Sequence, residues 1–273
     1  MKDLKFNLGS FNVRGLISNL KKEQLDKDLQ KYKLDIICLQ ETKINDDLDI
    51  NVGQSRLICF KPDCRHYGNG FLIAKTWNTS IHRVWRVNDR ICVLQLKAEN
   101  GKILSIINAY GPTLKKSEEN PDIRDRFYEE LQKTLKNLEQ KSYTTLIAGD
   151  LNAKVGKRVE DNINNDGILE SGDMCLGRYS RGRRNENGDV LVEFCRLNEL
   201  FIANSSFEHP ARHQTTWVSL RKIQDKVIKI FNQIDFIICK ERDKCIFDDA
   251  RSYGGTEVSS YHKMVEGKIS ING

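Results

Sequence analysis

Short apolar runs separated by polar turns dominate the chain, and long periodic stretches are few. Runs of strand length, rich in aliphatic, β-branched and aromatic residues, occur at Leu4–Asn12, Leu34–Gln40, Arg56–Phe60, Gly70–Ala74, Ile81–Val87 and Ile91–Lys97. Others follow at Ile103–Ala109, Tyr143–Gly149, Leu200–Asn204, Thr215–Val218, Asn232–Cys239 and Tyr261–Ile271. Their length and composition predict strands. Three stretches read as helices instead. Asn19 to Lys33 carries Leu20, Leu25, Leu29 and Tyr32 on one face. A second opens with Asn120 as N-cap and Pro121 at the first helical position, then spaces Ile123, Phe127, Leu131, Leu135 and Leu138 at steps of three and four. The third covers Glu186 to Leu197. Many antiparallel-looking strands with a few long helices predict an α/β (α+β) sandwich of two mainly antiparallel sheets packed face to face, with helices outside. Gly156–Arg184, rich in Asn, Asp, Gly and Arg, reads as a long surface loop.

Composition narrows the class. The chain has 273 residues, 39% apolar and 30% charged with four prolines, the profile of a globular protein. No repeat or linker divides it, so residues 1–273 are expected to form a single domain. No apolar stretch approaches membrane-spanning length. The start, Met1 to Phe6, lacks the apolar core of a signal peptide. Eight cysteines show no CxxC pair, and several sit inside apolar strands, which predicts reduced thiols and an intracellular location. The basic run Arg181–Arg184 is too short for a nuclear address, and the nucleus is only compatible with the sequence. The net charge of +6 permits a polyanionic partner without demanding one.

Chemistry-bearing residues gather where predicted strands end. Gly149-Asp150-Leu151-Asn152 follows the apolar run Thr145–Ala148. Residues two apart on extended chain point the same way, so a carboxylate and a carboxamide could hold and orient one water. Asp-x-Asn is equally ordinary turn chemistry. Asn12 closes the first strand with an amide. Glu41, in Leu39-Gln40-Glu41-Thr42-Lys43, ends the next strand with the kind of oxygen ligand a hard divalent cation needs, or simply a solvated acid. Tyr110, in Asn108-Ala109-Tyr110-Gly111-Pro112, could donate to a phosphate oxygen or cap the sheet edge. Asp235 stands in an apolar strand and needs a partner. His262 could be that partner, since a carboxylate fixes an imidazole's tautomer and raises its basicity.

Taken in order, Asn12, Gln40-Glu41-Thr42, Tyr110-Gly-Pro112, Gly149-Asp-Leu-Asn152, Thr216-Trp217, Asp235 and His262 resemble the motifs of the endonuclease/exonuclease/phosphatase superfamily, which shares the DNase I fold. The string Arg183-Arg-Asn-Glu-Asn-Gly188, followed by Phe194-Cys195 and Phe207-Glu208-His209, is similar to the endonuclease domains of non-LTR (LINE-type) retrotransposons of the RTE clade. The resemblance implies a four-layer DNase I-like sandwich and hydrolysis of DNA phosphodiesters with Mg²⁺, or Mn²⁺ in its place. It implies a monomer with no small-molecule cofactor and no membrane partner. By the same resemblance, Glu41 with Asn12 forms the metal site and Asp150 accepts a proton from, or aligns, the attacking water. Asn152 holds that water and a phosphate oxygen, and Tyr110 bonds the scissile phosphate. His262, oriented by Asp235, offsets the growing negative charge. Trp217 resembles the family's aromatic near the site, and Arg178, Arg181, Arg183 and Arg184 could neutralise DNA phosphates or form a solvated loop. Two positions depart from the pattern. Ser260-Tyr261-His262 stands where the family has Ser-Asp-His, and Arg14 stands where abasic-site repair members carry an acid. The expected activity is strand nicking rather than repair. A catalytically impaired binding module for nucleic acid or protein, and a phosphatase of the same superfamily, are the alternatives.

Overall fold

The computed structural model describes residues 4–160, 162–163, 169–170, 172–223 and 226–271. Two sheets carry the architecture. The first has seven strands in the order Phe247–Tyr253, Met264–Ile271, Leu4–Asn12, Ile36–Gln40, Asn69–Ala74, Ser55–Cys59 and Leu48–Val52. The second has six, in the order Leu200–Ile202, Asp235–Lys240, Thr144–Asp150, Ile103–Tyr110, Ile91–Lys97 and Ile81–Asn88. Neighbours are antiparallel except at one pairing in each sheet. Leu4–Asn12 runs parallel to Ile36–Gln40, and Ile103–Tyr110 runs parallel to Thr144–Asp150.

Both sheets are buried on both faces, and this explains their near-continuous apolar runs. In Leu146-Ile147-Ala148, the first and third residues join the core between the sheets, with Leu8, Cys38, Phe71 and Ile237. The middle one faces outward into a second cluster with Phe127, Leu131, Leu135 and Leu191, under the helices Pro121–Glu139 and Glu186–Leu197. On the other side, Leu25 and Leu29 of the helix Asn19–Lys31 cover Leu39 and Leu72 of the first sheet. Helix, sheet, sheet and helix make the four-layer α/β sandwich that the pattern predicts. Gly149 shows how tight the central strands are, since a Cβ there would run into the carbonyl oxygen of Ala109.

Local signals behave as their chemistry dictates. Asn120 caps the second helix by accepting from the Asp122 amide, with Pro121 next, and the third helix spans Glu186–Leu197 as predicted. Some readings need correction. Leu20 is 65% exposed, so the first helix buries Leu25 and Leu29 without it. The run at Thr215–Val218 belongs to a hairpin of Trp217–Ile223 with Lys226–Asn232 that stands outside both large sheets. Its second arm is mostly exposed and lysine-rich, so it gives no core pattern. Edge strands Leu48–Val52 and Phe247–Tyr253 went unpredicted because polar residues interrupt them. The Gly156–Arg184 reading falls partly outside the described residues. Six of the eight free cysteines are buried, and among the described residues no helix is long and apolar enough to cross a membrane.

The end of the first helix also anchors the C-terminal segment that reaches the site. Buried Asp28 accepts from the amides of Glu257 (2.7 Å) and Val258 (3.1 Å), while Lys31 Nζ donates to the Gly255 carbonyl at 2.7 Å. Hydrogen bonds to a charged group are each worth about 1.5–3 kcal/mol. Asp28→Asn puts an amide NH₂ where an acceptor is needed. It should lower unfolding free energy by about 1.5–3 kcal/mol, measured as a shift of the urea midpoint at constant slope.

Candidate active site

Parallel pairing brings like ends of strands to one edge, and that is how the site is assembled. Asn12 pairs in register with Gln40, next to Glu41, and Tyr110 pairs with Asp150. The antiparallel neighbour starts at the same edge, with Asp235 opposite Asp150. The two sheets therefore present their polar ends side by side. His262 precedes the strand Met264–Ile271 and is bridged to Trp217 through the backbone.

One amide joins the two halves. Asn12 Nδ2 donates to Glu41 Oε1 and to Asp150 Oδ2, both at 2.9 Å. Tyr110 donates its hydroxyl to the same Glu41 oxygen at 2.8 Å, and Lys43 Nζ lies 2.7 Å from Glu41 Oε2. Burial alone would raise the Glu41 pKa, but the bonds from Asn12, Lys43 and Tyr110 outweigh it and hold the carboxyl below its usual range. Glu41 is therefore ionised near neutrality. Burial, joined by the charge of Glu41, pushes the Tyr110 phenol well above its usual range, so it remains a donor.

The second half is an acid–imidazole–acid arrangement. His262 Nδ1 lies 3.0 and 3.1 Å from the two carboxylate oxygens of Asp235, and Nε2 lies 3.6 Å from Asp150 Oδ2. All three side chains are buried. Burial and the Asp235 charge push the Asp150 pKa up to about 7, against the opposing pull of His262. Burial lowers that of His262, yet Asp235 and Asp150 reverse this and raise it to about 9. Facing carboxylates thus share a protonated imidazole between them. Thr216 Oγ1 fixes Asp235 by accepting from the amides of Ile234 (2.9 Å) and Asp235 (3.1 Å). Ser260 Oγ donates to the Asn12 carbonyl at 2.8 Å and accepts from the His262 amide at 3.1 Å. Sequence reasoning gave Lys43 and Ser260 no role and saw Thr216 only as motif. A hydroxyl or amine beside a motif residue is a common surface feature, and only tertiary contact gives it a task.

Two groups of ligands could be considered for a cation. Asp150, Asp235 and His262 place one ligand atom each within 4.8 Å of one another, but the imidazole already holds both acids together. Glu41 offers an ionised, partly accessible oxygen, and the Asn12 side chain bonded to it carries a carboxamide oxygen alongside. That all-oxygen pairing fits a hard divalent cation better.

Asn152 sits beside the centre, its amide donating to Asp150 Oδ1 at 3.0 Å with φ at 49°. The arginines divide. Arg181 and Arg183 are exposed and line a cavity of about 460 Å³ with Lys154, Arg212, Lys263 and Phe231. Arg178 is exposed outside that lining. Arg184 is half-buried, bonded to the Val155 carbonyl and paired with Asp173, so it clasps the loop. Tyr261 is 55% exposed, and the Arg14 guanidinium stacks 4.6 Å from its ring centre.

Comparisons with known proteins bear on the fold and the family. Craniofacial development protein 2 of Bos taurus is 28% identical over 268 residues, covering 98% of this chain but 41% of that protein. The chain thus spans well under half of that relative's length. Exodeoxyribonuclease III of Haemophilus influenzae is 31% identical over 153 residues, 52% of this chain and 56% of that enzyme. The endonuclease domain of TRAS1, a telomere-specific non-LTR retrotransposon, superposes with a TM-score of 0.63 at 15% identity, covering 97% of this chain and 98% of that one. The AP endonuclease LMAP from Leishmania major gives 0.67 at 15% identity, covering 97% and 87%. At such identities these two structures establish the shared, DNase I-like fold alone. Residues 7–241 match the Endonuclease/Exonuclease/phosphatase family, and with the sandwich and its strand-end site the chain belongs to that family.

Proposed function

We propose that this chain hydrolyses DNA phosphodiester bonds with a divalent cation, Mg²⁺ or Mn²⁺, nicking one strand in the manner of retrotransposon endonucleases. The observation that carries the reading is the continuous hydrogen-bonded set Tyr110–Glu41–Asn12–Asp150, closed by His262 and Asp235. A phosphodiester repels anions and is a poor electrophile, so such a set must offset charge as the transition state forms. Glu41 and Asn12 would hold the cation, which when bound neutralises charge on the phosphate oxygens. Asp150 would take a proton from the attacking water, a task suited to a buried carboxyl whose pKa is raised. Asn152 would orient that water and a phosphate oxygen. Tyr110 would donate to the scissile phosphate. His262, kept protonated and aimed by Asp235, would stabilise the developing negative charge. Arg181 and Arg183, with Trp217 near His262, would contact the nucleic acid.

A second reading has its own observation. At the place of the family's acid, Tyr261 is exposed and stacked on Arg14, and it offers no carboxylate to the site. That favours a descendant which binds nucleic acid or protein without cutting.

Supercoiled plasmid with purified protein and Mg²⁺ separates the two. The native chain should convert it to the open circle, and Asp150→Ala should slow this by at least about 10³-fold. Tyr261→Asp should raise the rate. Nicking by Tyr261→Asp alone would give the native chain to the binding reading. Glu41→Gln should raise the Mg²⁺ concentration for half-maximal rate by about 10-fold or more, read from a metal titration. Arg181→Ala combined with Arg183→Ala should raise KM and steepen nothing in kcat. It should also reduce the salt dependence of binding by about one to two phosphate contacts.

A further inference from the structure

Asn187 has no part in the chemistry above, yet it is buried and its side chain reaches both loops that carry the site. Its Nδ2 donates to the Pro112 carbonyl and to the Asn152 carbonyl, each at 3.0 Å. These two carbonyls come from different strand ends, one just after Tyr110 and the other just after Asp150. The loops are also laced directly. Asn152 Nδ2 donates to the Gly111 carbonyl at 3.0 Å, and the Gly111 amide donates to the Asp150 carbonyl at 2.8 Å.

Asn187 can do this because of where its helix begins. Asn185 caps the helix Glu186–Leu197, its Oδ1 accepting from the Gly188 and Lys154 amides at 3.0 Å each. The first turn is therefore pinned to the loop after Asp150. Gly188 permits this contact, since a Cβ would collide with the Lys154 carbonyl. The second helical residue is then fixed above the two turns, where its short side chain reaches both carbonyls.

We infer that Asn187 is a positioning residue, clamping the Gly111–Pro112 and Leu151–Asn152 turns together so that Asn152 keeps its left-handed backbone and its aim. Asparagine tolerates φ 49° better than most residues with a side chain, and the surroundings select that conformation. Three bonds do so: Asp150 Oδ1 on the Asn152 amide, the Gly111 carbonyl on its side chain, and Asn187 on its carbonyl. Removal of the last frees Asn152 to turn outward and leaves two carbonyls without their shared donor. The helix start is thus a working part of the site, although none of its side chains meets the phosphate. The effect on rate rests on the proposed nicking reaction, whereas the clamp itself does not.

Two measurements test this on the full chain. First, plasmid nicking is compared in native protein, Asn187→Ala, Asn152→Ala and the double variant. Asn187→Ala should lower kcat by about 10- to 100-fold with KM changed by less than about twofold. In the Asn152→Ala background the same change should cost less than about threefold, because the residue it acts through is gone. Effects that multiply in the double variant, or a loss seen mainly in KM, would overturn the proposal. Second, amide hydrogen exchange is followed in native protein and in Asn187→Ala and Asn187→Ser. Exchange at Gly111 and at Leu151–Ala153 should accelerate by about 10-fold or more while Ile103–Ala109 stays protected. Unchanged exchange in these turns would overturn the clamp, and so would equal acceleration in the strand, which marks general unfolding. If the native chain nicks nothing, the nuclease reading fails and exchange still decides the clamp.

Discussion

The shared donor between Glu41 and Asp150 is the constraint on which the site depends. Asn12 belongs to the first sheet and Asp150 to the second, so this fully buried amide is a polar link across the sandwich. Buried polar groups must be satisfied, and a single NH₂ answers two carboxylates at once. Behind it lies a second polar layer. Gln40 Nε2 donates to Asn108 Oδ1 at 2.8 Å, while Asn108 Nδ2 donates to the Leu39 and Gly70 carbonyls. Such a network fixes the relative height of the sheets more narrowly than apolar packing, which tolerates sliding. The distance between the Glu41 and Asp150 carboxylates follows from that height.

Charge is arranged to match. Three clustered acids, two of them buried, would be unstable near one another without a cation. His262 supplies one between Asp235 and Asp150, and Lys43 supplies another beside Glu41. The consequence is asymmetric. Glu41 gains three donors and stays ionised, whereas Asp150 faces Asp235 across the antiparallel pair and is pushed toward neutrality. One carboxylate suits a metal ion and the other suits proton transfer, although both stand at strand ends of similar sequence character.

Much of this was legible from residue order. Strand-length apolar runs led up to Asn12, Glu41, Tyr110 and Asp150, the family resemblance implied that they meet in one site, and the lone acid Asp235 called for His262 as partner. That pairing is present at 3.0 Å. What stayed hidden depends on long-range contact. Arg184 reads like its neighbours Arg181 and Arg183, yet Asp173 and the Val155 carbonyl claim it. Lys154, Arg212 and Lys263 share a cavity wall although they are scattered along the chain. Leu20 reads as one more leucine beside Leu25 and Leu29, but five and nine residues of helix turn it roughly 140° and 180° away from them, onto the solvent face.

Backbone strain gives the last link between fold and site. Among the described non-glycine residues, φ is positive at Arg14, Glu41, Lys43 and Asn152, all at or next to strand ends of the site, and at Lys33 and Glu199 elsewhere. Each such conformation costs of order 1–3 kcal/mol. Glycine would relieve it, but glycine carries no carboxylate, amine or amide. The strain is held by crossed backbone bonds. Gly15 donates to the Glu41 carbonyl at 2.6 Å, Leu16 to that of Thr42 at 2.8 Å, and Lys43 to that of Tyr67 at 3.0 Å. These bonds turn the chain sharply just as each strand leaves the sheet, which swings Glu41 back over the edge toward Asn12 instead of out into solvent. A relaxed, extended continuation would carry the same residues past the site. The residue types fix what chemistry is available, and the strained turns fix where it is delivered.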